Sequence, residues 1–224
     1  MPRVPAPQVP PPSSAGIGTD AYLRAVFADI ERLWTREFAQ AGGTYRPARL
    51  TLFRDAVSTA CGDQSAKVGP FYCPASMGVY LDTRFFAALA TTAGVRLGDF
   101  AQAYVIAHEL GHHVQLLTGV LGALTRADHA DPAGANARSV RFELQADCLA
   151  GVWMHSAFRR GAVSNADIAD ALNAAAVVGS DFQQRNAGAQ IRPEEWTHGS
   201  SAQRQHWLVV GFEQGRPAAC DTFS

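Results

Sequence analysis

Apolar residues recur at helical spacing near the start of the chain, where Leu23, Val26, Phe27, Ile30, Leu33, Trp34 and Phe38 fall on one stripe. That period predicts a helix from Thr19 or Asp20 to about Gln40, stopped by Gly42-Gly43. Beyond Pro47 the pattern changes, and Leu50–Phe53 and Val79-Tyr80-Leu81 read as two short strands. Phe85 to Thr91 predicts a short helix. The run DFAQAYVIAHELGHHVQLLTG predicts a long one over Asp99–Gly119, with an acidic first residue and a closing glycine. The polar stretch TRADHADPAGAN reads as its connection to a second long helix, from about Ala135 to Arg160. Ser164 caps a further helix, and a last one spans roughly Ser201 to Gln214. No internal repeat is visible. The expectation is one α+β, mainly helical domain over residues 19–224, with a small N-terminal sheet. Residues 1–18 are rich in Pro, Ser and Ala and have no period, so they read as a disordered tether.

Composition narrows the class. Hydrophobic residues make up 47% of the 224 and charged residues 17%, enough apolar material to bury a sizeable core. The net charge is -1 and the isoelectric point is near 6.6. That balance lacks the clustered positive excess of a nucleic-acid binder. No apolar run approaches the ~18 residues of a membrane-spanning helix. Nor does the start of the chain carry the apolar segment of a signal peptide.

The four cysteines are Cys61, Cys73, Cys148 and Cys220. Their spacing does not form the paired C-x₂₋₄-C units of a zinc ribbon. Four buried free thiols of a cytosolic protein are one reading. Two disulfides are the other, and four cysteines allow three connectivities. Cys61 and Cys73 bracket a Gly/Ser/Pro-bearing loop too poor in apolar residues to hold itself by packing. A bridge from Cys148 to Cys220 would pin the chain end against the helix that carries Glu143. Two disulfides, Cys61–Cys73 and Cys148–Cys220, are therefore expected. They imply an extracytoplasmic location, and hence an export or anchoring segment absent from this chain.

The chemistry lies in the Asp99–Gly119 helix. His108-Glu109-Leu110-Gly111-His112 fits H-E-x-x-H. Histidines at i and i+4 face the same way and can share one tetrahedral Zn²⁺, with Glu109 beside them as general base for a water. The metzincin continuation is absent, since position 115 is Gln and position 118 is Thr. A third ligand must come from elsewhere. Glu143 and Asp147, four apart on the next long helix, share a face. One can bind metal while the other accepts the spare ring N–H of a ligand histidine.

The blocks CGDQSAKVGPFYCPASMGVYLD, HELGHHVQ, RFELQADCLAGVW, THGSSAQRQHW and the terminal CDTF occur in that order. Together they resemble the bacterial neutral zinc metallopeptidase family of the YpfJ type, over residues from about 20 to 224. The resemblance implies a zincin-like fold of the glutamate-ligand kind. It also implies His108, His112 and Glu143 as metal ligands, with Glu109 catalytic. With that ligand set, one Zn²⁺ per chain is expected, and Asp147 is left to orient a ligand histidine from behind. Members of that family begin with a Gly-rich, membrane-spanning segment that this chain lacks, so membrane attachment would require a segment outside it.

The function expected is hydrolysis of peptide bonds in a peptide or protein substrate. The alternative is a catalytically silent, zinc-stabilised binding or scaffold protein. Two further residues are candidates. His198 could hydrogen-bond a tetrahedral oxyanion, or simply support a turn. Tyr80 sits in a segment that reads as a core strand, or else as an edge strand aligning a peptide. His113 points off the metal face and reads as structural.

Overall fold

A computed structural model describes residues 20–65, 68–94 and 98–224. The expected tether and the Thr19 cap lie outside the described residues. Helix α1 (Asp20–Gln40) buries Leu23, Val26, Ile30, Leu33 and Trp34, the stripe that its periodicity predicts. Gly42 then adopts φ 75, and the Gly43 N–H bonds back to the Phe38 carbonyl at 2.8 Å, closing the helix end.

Five strands follow: β1 (Arg49–Phe53), β2 (Ala56–Thr59), β3 (Gly62–Ser65), β4 (Phe71–Cys73) and β5 (Gly78–Asp82). The main sheet has the order β1-β5-β4. β1 runs parallel to β5, from Arg49 opposite Gly78 to Phe53 opposite Asp82. β4 runs antiparallel to it, with Phe71 opposite Tyr80. All five residues of β5 are buried, as a strand covered on both faces requires. Tyr80 is thus on the central strand, and the edge-strand reading of that segment is corrected. The edges of this sheet are β1 and β4. β2 and β3 pair as a separate polar hairpin that apolar alternation could not reveal. The Cys61–Cys73 disulfide ties that hairpin to β4.

The remaining helices are α2 (Phe85–Ala93), α3 (Asp99–Leu117), α4 (Val120–Ala130), α5 (Ala135–Arg159), α6 (Asn165–Val177), α7 (Ser180–Asn186) and α8 (Ser201–Gln214). Most match the expected bounds closely. The connection between α3 and α5 does not, because Val120–Ala130 forms α4 and takes in the first half of the polar stretch TRADHADPAGAN. No α4 residue is fully buried, and it rests on the protein through half-buried Leu121 and Leu124; its apolar run is short and interrupted by Gly122. Helix α7 is likewise too short and polar to announce itself. Ser164 and Ser200 cap α6 and α8 with reciprocal capping boxes.

One core joins α1, the sheet, α3, α5, α6 and α8. Two crossings within it bring helix backbones very close. A Cβ on Gly111 of α3 would lie 3.0 Å from the Ala146 backbone of α5, and one on Gly211 of α8 would lie 1.9 Å from the Cys148 carbonyl of α5. Cys148 is bridged to Cys220, which fastens the end of the chain to α5. Among the described residues, no helix is long and apolar enough to cross a membrane.

Candidate metal centre

Helix α3 presents His108, Glu109 and His112 toward α5, and the glycine between the histidines lets the two helices approach. Asp170, reaching over from α6, accepts hydrogen bonds from the N–H groups of Gly98 and Ala101 at 2.7 and 2.9 Å, capping the exposed donors at the start of α3. The crossing brings Glu143 of α5 to both imidazoles. Its carboxylate oxygens lie 3.2 Å from His108 Nε2 and 3.4 Å from His112 Nε2. Ligand atoms from these three residues all fall within 4.8 Å of one another, a cluster that could hold a metal ion.

Both imidazoles are oriented from behind. His108 donates Nδ1–H to Asp147 Oδ1 at 2.8 Å. His112 donates Nδ1–H to Gln115 Oε1 at 2.8 Å. Gln115 can only accept there, because its Nε2 donates to the Phe142 carbonyl at 2.7 Å and to Gln145 Oε1 at 3.0 Å. In both rings the outward nitrogen is therefore Nε2, directed at the shared cluster. The Phe142 ring stacks on His112, with centroids 4.9 Å apart.

Asp147 is fully buried and accepts from three residues. Besides His108 it takes the Tyr104 hydroxyl at 2.6 Å, and Arg204 Nε and Nη2 of α8 at 2.8 and 2.9 Å. Burial alone would raise its pKa. The charges of Arg204 and His108 outweigh that and hold it at about 2. Burial also opposes ionisation of Glu143, but His112 and His108 keep that carboxyl below its ordinary range. His108 is pushed down by burial and up by Asp147 and Glu143, and ends at about 10 in the metal-free protein. A metal arriving at Nε2 would displace that proton.

Glu109 stands apart. It is buried, and among the described residues nothing hydrogen-bonds its carboxyl; burial raises its pKa to about 7. It lines a cavity of about 670 Å³ together with His108, His112, Glu143 and His198. His198 lies at the exposed rim, in the loop before α8, with Nδ1 2.8 Å from Thr197 Oγ1. His113, as expected, turns the other way. Its Nε2 donates to the Arg46 carbonyl and its Nδ1 accepts from Tyr72, each at 2.7 Å, so it ties β4 and the loop before β1 to α3.

Sequence reasoning thus anticipated His108, Glu109, His112, Glu143 and Asp147 as neighbours. It missed Tyr104, Gln115 and Arg204. Two of these carried a readable signal: Tyr104 lies four residues before His108, and Gln115 three after His112, each one helical turn away. Arg204 shares the inward stripe of α8 with Leu208 and Gly211, where a buried charge requires a partner.

Comparison with known proteins agrees with this centre. The chain is 42% identical over 203 residues to the uncharacterized protein YpfJ of Escherichia coli K12, covering 90% of this chain and 70% of that protein. It is 47% identical over 190 residues to the uncharacterized protein Rv2575 of Mycobacterium tuberculosis H37Rv, covering 80% of this chain and 64% of the relative. No solved structure matches. A family model described as "Putative neutral zinc metallopeptidase" matches residues 6–223. The chain belongs to that zinc metallopeptidase family.

Proposed function

We propose that the protein is a zinc-dependent endopeptidase acting on peptide or protein substrates. The observation that carries this reading is Glu109, a buried carboxyl that no described residue hydrogen-bonds and that opens into the same cavity as His108, His112 and Glu143. Two imidazole Nε2 atoms and a carboxylate are a ligand set of catalytic zinc, which keeps a further position open. A zinc ion held by His108, His112 and Glu143, one per chain, supplies Lewis acidity toward a carbonyl and acidifies water. Asp147 and Gln115 hold the two imidazoles in the tautomer that leaves Nε2 free. The Glu109 carboxylate accepts the proton of the attacking water and returns it to the leaving amide nitrogen. A pKa of about 7 suits a group that must both take and give a proton near neutrality. At the rim, His198 is the donor to the developing oxyanion, through Nε2 in the tautomer whose Nδ1 accepts from Thr197. The two disulfides support an extracytoplasmic location.

Elemental analysis of protein purified without added metal should give about one zinc per chain, and a chelator should stop cleavage of casein. Glu109→Gln should keep the zinc and the melting curve while lowering kcat by ~100-fold or more. Absence of zinc, or a Glu109→Gln variant as active as its parent, would overturn the reading. A zinc-loaded parent that cleaves nothing in a broad peptide library would favour the silent scaffold instead.

A further inference from the structure

The cavity is larger than the reacting groups need. At about 670 Å³ it has room for a short length of extended chain. One wall is free of charge: Phe71 of β4, Phe85 and Leu89 one turn apart on α2, Val105 of α3, and Val68. Val105 precedes His108 by three residues and Glu109 by four, so this wall starts on the helix face that carries them. Two aromatic rings of the lining are held in place by stacking, Phe71 on Tyr80 and Phe142 on His112, each with centroids 4.9 Å apart.

Helix α2 supplies much of the apolar wall, and its own packing is unusual. Its sequence is FFAALATTA, yet none of its described side chains is fully buried. Phe85 is seated on the Gly69 backbone, where a Cβ would come within 2.8 Å of the ring. Leu89 is half-buried, and Val68 is 53% exposed. Apolar surface left open to water in this way is stabilised by whatever covers it. Here it is continuous with the metal cluster in a single cavity, so the group that reaches the cluster is the one that covers the wall.

Resting on the peptidase reading, we infer that Phe71, Phe85, Leu89 and Val105 form the specificity site, accepting a large apolar side chain beside the scissile bond. Folded proteins bury such side chains. The substrates are therefore unfolded or extended segments bearing Leu, Ile, Phe or Met, rather than charged surface loops.

Binding tests this without turnover. Zinc-loaded Glu109→Gln protein is titrated with labelled hexapeptides that differ at one central position, and fluorescence anisotropy is read. Leu and Phe peptides should bind about tenfold or more tighter than the Ala peptide. Adding Leu89→Lys should remove that preference and favour the Asp peptide, while Leu89→Met should keep it. Val68→Asp, at an exposed site where folding is not at risk, should weaken binding of the Leu peptide several-fold. Equal affinities, or a preference that survives both Leu89→Lys and Val68→Asp, overturns the proposal. Cleavage by the parent without residue preference overturns it as well. Apolar preference in binding with no cleavage by the parent would remove the peptidase reading and leave this site standing.

Discussion

Three carboxyl groups meet at this centre and titrate in opposite directions. Glu143 and Asp147 are held low by cationic neighbours, whereas Glu109, which no described residue hydrogen-bonds, is held up by burial at about 7. For Glu109 the folded-state pKa lies above its ordinary 4.5, so the folded protein retains a proton that the unfolded chain releases. Its contribution to stability is present below pH 4.5 and is lost as the pH rises through about 7. Metal-free Glu109→Gln should therefore gain on the parent in urea melts between those two values, and keep that gain above them. A constant difference from pH 4 to 8 would contradict the burial argument. Asp147 poses the opposite case, a charge that burial requires to be paired. Asp147→Asn leaves Arg204 buried without its counter-ion, and should cost about 3–5 kcal/mol in denaturant unfolding. By loosening His108 it should also weaken zinc affinity about 10–100-fold in chelator competition.

At the scale of elements, the centre is a consequence of how closely α3, α5 and α8 approach. Gly111 lets α3 lie against α5 so that His108 and His112 reach Glu143. Gly211 lets α8 lie against α5 so that Arg204 reaches Asp147. Gly211→Ala would put a methyl carbon 1.9 Å from the Cys148 carbonyl, and both atoms belong to rigid helices. The variant should lose about 1–3 kcal/mol or more in thermal or denaturant melts, despite the better helix propensity of alanine. It should lose zinc affinity too, because separation of α8 from α5 withdraws Arg204 from Asp147. Full stability with unchanged metal binding would show that the crossing can relax.

For the whole molecule, two disulfides fasten the parts that border the cavity. Cys61–Cys73 closes a short loop, with a sequence separation of 12, and holds the polar hairpin against β4. Cys148–Cys220 spans 72 residues and anchors the chain end beside the metal-centre helix. In the chain-entropy model the two contribute about 3 and about 4 kcal/mol. Replacing Cys148 and Cys220 together by Ala should therefore lower the unfolding free energy more than replacing Cys61 and Cys73. Intact mass before and after reduction and alkylation should report four cysteines protected in the native protein. Four thiols that alkylate without reduction, in protein taken from its own compartment, would contradict both the pairing and the extracytoplasmic proposal.

Much of this was legible from local pattern. The periods of α1, α3, α5 and α8, the i, i+4 spacing of His108 with His112 and of Glu143 with Asp147, and the capping Ser164 are properties of neighbours along the chain. Helix geometry converts such spacing directly into a shared face. The β2–β3 hairpin escaped because it buries little, and a solvated strand pair leaves a faint apolar pattern; α4 escaped because its apolar run is short and runs into the polar stretch that follows it. Which of Glu143 and Asp147 faces the cluster, which buried groups stand behind the imidazoles, and which strand of the sheet is its edge are different questions. Their answers depend on crossings between elements far apart in sequence, such as Arg204 with Asp147 and β1 with β5. Those crossings are set by backbone approach at Gly111 and Gly211 and by burial of one common core, and no local pattern encodes them.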